Sequence, residues 1–182
     1  MTKLIILNGP LGVGKSTLAE RYAKDHPLTL VLDIDKVRKL LSNWREQKED
    51  SAIQSKKMAV EMARVHLQGG YDVVVPQFYR QVKYLEELER LAGECGADFY
   101  EFVLFLCKEE AVHRFIERGK KEGRPLGFNP EGIIGRSGGI AYVKQTYDEM
   151  AEAIAKRPNT INIKPKLDDV EATYQEVISH LL

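Results

Sequence analysis

The stretch ILNGPLGVGKST, residues 6–17, decides the fold. It joins an apolar run to a segment with helical periodicity and carries the spacing Gly9-x-x-x-x-Gly14-Lys15-Ser16. Glycines at these positions let backbone N–H groups converge on one point without interference from Cβ atoms. The N-terminus of the following helix adds a positive dipole end. Between a strand and a helix, such a loop cradles nucleotide phosphates. Lys15 then reaches the β and γ phosphates of ATP and Ser16 ligates Mg²⁺, while Gly9, Gly12, Val13, Gly14 and Thr17 complete the nucleotide-binding set. A plain turn explains the glycines but not a Lys-Ser pair at this spacing.

Outward from the loop, strand and helix patterns alternate. KLIIL (Lys3 to Leu7) reads as a central strand buried on both faces, and LTLVLDID (Leu28 to Asp35) as a second strand. Residues 36–68 are mostly helical with a charged break at REQKEDS, and Gly69-Gly70 ends them before a third strand, YDVVV (Tyr71 to Val75). A helix over 82–94, a fourth strand FYEFVLFL (Phe99 to Leu106) and a helix over 108–118 follow. Beyond the lid-like stretch lie a helix over 140–156, a short strand TINI (Thr160 to Ile163) and a last helix over 168–181. This order predicts an α/β fold, a three-layer sandwich around a five-stranded parallel sheet. The stretch GKKEGRPLGFNPEGIIGRSGG is rich in glycine and basic residues and short of core residues. It predicts a mobile lid over about 119–139 within a single domain, 1–182.

Composition narrows the partners. Lys+Arg and Asp+Glu are both 27 among 182 residues, so formal net charge is zero. That argues against capture of long nucleic acid by charge alone and leaves room only for a local basic groove. Cys95 and Cys107 fit no metal-ligand spacing. Neither a signal-peptide pattern nor an 18-residue apolar run occurs, which predicts a soluble cytoplasmic protein with no membrane partner, a monomer or weak homodimer.

The acids decide what happens to the phosphate. A motor or regulatory ATPase normally ends its third strand in a carboxylate, whereas here that strand runs VVVPQFYR, with Pro76 and Gln77 at the place. No Asn-Lys-x-Asp guanine signature occurs either. The carboxylates instead follow the second strand, as Asp33 and Asp35, at the carboxyl end of the sheet where ligands bind. In an extended strand the two face opposite ways, and Asp35, at the turn into the helix, is the better general base for an attacking hydroxyl. A helix N-cap is the structural alternative for Asp35. For Asp33, support of the metal or loop and capping of the strand end stay open.

Arg114 and Arg118 share a helix face, with Arg118 at the lid hinge and Arg124 within the lid. They are the cations available to a transferring phosphoryl group, with Arg136 a weaker candidate. On the acceptor side stand Arg38, Gln77, Phe78, Tyr79 and Arg80, with Asp33 and Asp35 opposite; Trp44, Met58 and Met62 could wall the pocket but suit a core better. Lys164–Asp169, after the last strand, is placed to meet the adenine.

With Gly9–Ser16, DKVR (Asp35 to Arg38) and HRFIERGKKEGR (His113 to Arg124) in this order, the chain resembles the small P-loop kinases that phosphorylate hydroxyls. That group includes chloramphenicol phosphotransferase, zeta toxin and phage-type polynucleotide 5′-kinases. The resemblance implies an ATP- and Mg²⁺-dependent phosphotransferase with Asp35 as base. The chain departs from the polynucleotide kinases at the lid, where the position four residues after Arg118 is Glu122. Arg114 or Arg124 must then supply the second charge. The expected acceptor is a hydroxyl of a small molecule, a nucleoside or a nucleic-acid 5′ end, the last not favoured by net charge. The rival reading is a nucleotide-binding regulatory ATPase with no phosphate acceptor.

Overall fold

The computed structural model describes residues 1–121, 138–166 and 169–181, the side chains of 118–121 excepted. In chain order the first half holds β1 (Lys3–Asn8), α1 (Lys15–Asp25), β2 (Leu30–Val31), α2 (Ile34–Arg38), α3 (Lys48–Gln68) and β3 (Val73–Pro76). The second half holds α4 (Val82–Glu94), β4 (Asp98–Leu104), α5 (Lys108–Lys121), α6 (Ile140–Ala155), β5 (Ile161–Ile163) and α7 (Val170–Ser179). The strands are all parallel, in the order β2-β3-β1-β4-β5.

β1 occupies the centre because its residues are apolar on both faces. Ile5 and Leu7 join Val74, Phe102 and Leu104 against Leu18 and Tyr22 of α1, Met150 of α6 and Tyr174 of α7. Leu4 and Ile6 point the other way and join Val73 and Val75 against Ala59 and Ala63 of α3 and Leu85 and Leu88 of α4. Two cores on opposite faces of one sheet make the three layers that the alternation predicts. α3 buries Ser51, Ser55, Ala59, Ala63 and Leu67 at steps of four residues. The small side chains on that stripe let the helix lie close. Its two buried hydroxyls are satisfied locally, Ser51 Oγ donating to the Trp44 carbonyl at 2.9 Å and Ser55 Oγ to Ala52 at 3.1 Å.

One strand carries a charge into this core. Glu101 of β4 is 4% exposed, and its Oε2 accepts from Arg157 Nε at 2.9 Å and Nη2 at 2.8 Å. Arg157 also reaches Glu89 of α4 at 2.8 Å, so the ion pair ties β4 to two neighbouring segments.

Most strand bounds shift by one or two residues from the sequence expectation, and two places differ by more. β2 is only two residues long, and the chain turns helical at Ile34, inside the predicted strand. The cause is Asp33, whose Oδ1 accepts from the backbone N–H groups of Asp35 at 2.9 Å and Lys36 at 3.2 Å. It is the N-cap of α2, the part that the sequence offered to Asp35. α5 continues to Lys121, past its predicted end and into the start of the predicted lid. The rest of that lid, apart from Gly138 and Gly139, lies outside the described residues, as do Arg124 and Arg136. Among the described residues no helix is long and apolar enough to cross a membrane.

Candidate active site

The loop between β1 and α1 takes its shape from its surroundings as well as from its glycines. Gly9 has φ +143°, and a Cβ there would lie 2.7 Å from the Leu104 carbonyl oxygen, closer than packing allows. Gly14, at φ +102°, sits in the left-handed region as the N-cap of α1. Asn8, fully buried at the end of β1, joins this loop to the one after β3. Its Oδ1 accepts from the Gly9 N–H at 2.8 Å and the Tyr79 N–H at 3.0 Å, and its Nδ2 donates to the Tyr79 carbonyl at 3.4 Å.

Lys15 is folded into the loop. Its ammonium donates to the carbonyls of Gly9 at 2.8 Å and Pro10 at 2.9 Å, and it lies 5.9 Å from the centroid of the Phe78 ring. A lysine so held is a cation kept at the mouth of the cradle. Ser16 stands in the first turn of α1 and is exposed.

On one side of this loop is a cavity of about 200 Å³ lined by Gly12, Val13, Gly14, Thr17, Arg114 and Lys166, among others. The backbone of the cradle, the α1 N-terminus and two cations converge there, which suits a nucleotide. Arg114 therefore lies where the sequence places it. Its predicted companion Arg118 falls on α5, but its side chain lies outside the described part. Of the segment expected to meet the adenine, Pro165 and Lys166 line this cavity, and residues 167–168 lie outside the described part. Thr173 Oγ1 accepts from the Lys166 N–H at 2.9 Å and anchors the segment to α7.

A second cavity, of about 250 Å³, shares no lining residue with the first, and its wall includes Asp35, Arg38, Gln77, Phe78, Tyr79, Arg80 and Tyr84. Six of the seven acceptor-side residues expected from sequence thus meet in one place. Asp33 is not among them, since its carboxylate is engaged in capping α2. Asp35 is exposed at this wall, yet the protein around it removes part of the water its carboxylate would otherwise have. That desolvation, and then the neighbouring Asp33 charge, raise its pKa above the ordinary carboxylate range. Arg38, Lys39 and a hydrogen bond from Gln77 oppose the rise.

The two arginines of this wall have structural partners. Arg38 Nε donates to Ser51 Oγ at 2.9 Å, Nη2 bonds the Lys48 carbonyl, and the guanidinium lies 5.4 Å from the centroid of the Trp44 ring. It pins the end of α2 to the start of α3. Arg80 pairs with Glu149 of α6 at 2.7 Å. Trp44, Met58 and Met62 do not line the acceptor cavity; Met58 packs against the core under α3. Sequence reasoning missed Asn8, Lys56, Tyr84 and Glu149. Only Asn8 carried a signal, a buried-strand position with an amide just before the first loop glycine.

Among the described residues no group of three or more His, Cys, Asp or Glu side chains could hold a metal ion. Mg²⁺ fits here in another way, since it keeps several waters and binds through substrate phosphates with one or two protein oxygens. The exposed Ser16 hydroxyl beside the phosphate cradle is such an oxygen.

A family model described as AAA domain matches residues 4–129. Solved structures share the fold at low identity. The Pnkp1/Rnl/Hen1 RNA repair complex aligns at 21% identity and TM-score 0.65, over 87% of this chain and 47% of that one. A gluconokinase from Sinorhizobium meliloti aligns at 15% identity and TM-score 0.60, over 98% of this chain and 95% of that one. The tunicamycin resistance protein of Deinococcus radiodurans aligns at 16% identity and TM-score 0.59, over 97% and 96%. A search of curated proteins finds no match to the chain.

Proposed function

Since this chain belongs to the AAA domain family and has the fold of P-loop kinases, we propose that it transfers the γ-phosphoryl group of ATP to a hydroxyl of a small acceptor. The observation that supports this best is the placement of Asp35, a carboxylate on the wall of a second cavity that shares no lining residue with the first and meets the loop lysine at Phe78. A nucleotide needs one cavity. A protein that only hydrolyses ATP has no use for the other.

The acceptor oxygen forms its bond to the γ-phosphorus as the bond to the bridging oxygen of ADP breaks, and the hydroxyl proton passes to Asp35. Gln77 lines the same cavity wall as Asp35 and favours its charged form. Phosphate oxygens offer the Lys15 ammonium anionic partners in place of two neutral carbonyls, and Arg114 lines the same nucleotide cavity. Arg118 and Arg124 are the further cations this reading assigns to the transferring group. Ser16 would help hold Mg²⁺ beside the phosphates, and the ion would supply neutralisation of charge on the leaving group. Zero net charge favours a small molecule or nucleoside over a nucleic-acid 5′ end. We place the protein in the cytoplasm as a monomer or weak homodimer.

The rival, a regulatory ATPase without acceptor, needs an acid at the end of β3, where Pro76 and Gln77 stand. One variant separates the two readings. Asp35→Asn should lower acceptor-dependent ADP release by roughly 10²- to 10⁴-fold, measured over a panel of sugars, nucleosides and hydroxylated antibiotics. Mg·ATP affinity should change little. A large loss of Mg²⁺-dependent ATP binding in the variant would make Asp35 a metal ligand and overturn the base assignment.

A further inference from the structure

Behind the acceptor cavity lies a smaller compartment of about 20 Å³, walled by Leu32, Ala59, Val75 and Leu88. The two spaces share Ile34, Lys56, Tyr79 and Tyr84. Lys56 Nζ lies 3.6 Å from the centroid of the Tyr84 ring, so a cation–π pair stands at the partition between them. Both residues are half-buried, which leaves the pair free to swing outward.

Into this apolar setting Tyr79 brings a hydroxyl that is buried without a hydrogen-bond partner. Its backbone N–H and carbonyl are bound by Asn8, but nothing in that role requires a phenol. An unpaired buried hydroxyl destabilises the fold, and phenylalanine would fill the same space without that cost. Burial and then the charge of Glu87, a residue of the inner wall, hold the proton on the oxygen. The hydroxyl is therefore a neutral donor awaiting an oxygen.

Resting on the kinase function proposed above, we propose that this compartment is a specificity subsite. The acceptor inserts a small uncharged substituent past Lys56 and Tyr84, and the Tyr79 hydroxyl donates a hydrogen bond to its oxygen. About 20 Å³ holds little more than one water, so the substituent enters as the Lys56–Tyr84 pair moves aside. Anionic substituents are disfavoured, because Glu87 lines the compartment and Lys56, the one cation among its lining residues, is displaced as the substituent enters. The acceptor class is then a neutral hydroxylated molecule carrying a carbonyl or ether oxygen at a fixed distance from the reacting hydroxyl.

Two probes isolate this contact: 4-acetylbenzyl alcohol, and 4-isopropylbenzyl alcohol, in which a methyl group replaces the carbonyl oxygen. Their dissociation constants are measured by ligand-observed NMR on the full chain and on Tyr79→Phe, with thermal melting as the folding control. Wild type should bind the acetyl probe more tightly by roughly three- to tenfold, the worth of one hydrogen bond, and Tyr79→Phe should erase the preference. The same preference in both proteins, no preference in wild type, or no binding of either probe overturns the subsite. Lys56→Ala, at a half-buried position, should improve binding of the bulkier propanoyl homologue relative to the acetyl probe. An unchanged ratio there also overturns it. Because these are equilibrium measurements without ATP, failure of the kinase function shows separately, as absent ADP release with every alcohol.

Discussion

Replacing Asn8 by alanine tests how the phosphate loop is fixed to the acceptor side. The side chain accepts two hydrogen bonds from buried backbone donors, Gly9 N–H at 2.8 Å and Tyr79 N–H at 3.0 Å. Its third bond, at 3.4 Å to the Tyr79 carbonyl, is long and adds little. Each donor left unpaired costs about 1–1.5 kcal/mol, the lower part of the usual range, because the adjoining cavities let some water approach. The expected loss is therefore roughly 2–3 kcal/mol, equivalent to a fall in Tm of roughly 5–10 °C for a chain of this size. Urea denaturation with a shared m-value gives the free energy directly. Asn8→Leu fills the volume without restoring an acceptor and should lose as much as Asn8→Ala. A loss well under about 1 kcal/mol in both variants, with m unchanged, would refute the claim that these bonds hold the two loops together.

Two further outcomes follow from charged groups. The raised pKa of Asp35 puts the acid limb of the kcat/KM profile above about 3.9, the ordinary aspartate value, because activity disappears as the base is protonated. The folded state then binds that proton more tightly than the unfolded chain, so Asp35 lowers stability as pH rises from the ordinary value through the raised one. Across that interval Tm in wild type should fall with pH relative to Asp35→Asn, whose other carboxylates are the same, while an acid limb at the ordinary value would contradict the environment described. Arg157→Leu strips Glu101 of its buried partner and should destabilise by about 3–5 kcal/mol in denaturant. The double variant Arg157→Leu, Glu101→Leu should recover most of it; a double variant as unstable as the single would count against that explanation.

The sequence makes the central layer plain because its signals are local. A four-residue apolar run, Leu4 to Leu7, shortly before Gly9-x-x-x-x-Gly14-Lys15-Ser16 admits one backbone path, and the remaining strands announce themselves by apolar runs bounded by glycine or charge. Where two local signals compete, the result depends on energies that pattern does not reveal. LTLVLDID alternates like a strand, but Asp33 offers its carboxylate to two N–H groups, and the capped turn begins before the alternation ends. The extended-strand argument for the two aspartates consequently reached Asp35 by a geometry the chain does not adopt. Contacts across many residues leave still less trace: Asn8 and Tyr79 are 71 positions apart, Arg80 and Glu149 69. Glu101 was the exception open to notice, one carboxylate inside FYEFVLFL, but its partner Arg157 could not be named from the pattern.

The two cavities also differ in how the chain supplies their walls. The nucleotide side gathers residues from the cradle, from β4 and α5, and from the segment after β5, so its parts are spread from Gly12 to Thr173. Every residue lining the acceptor side falls between Ile34 and Tyr84, one uninterrupted stretch. Variation confined to that stretch could exchange one acceptor for another while ATP handling stays intact. The same stretch is therefore the natural unit for a graft between relatives of this fold, with Asn8 and its amide bridge kept as the junction that sets the spacing of donor and recipient.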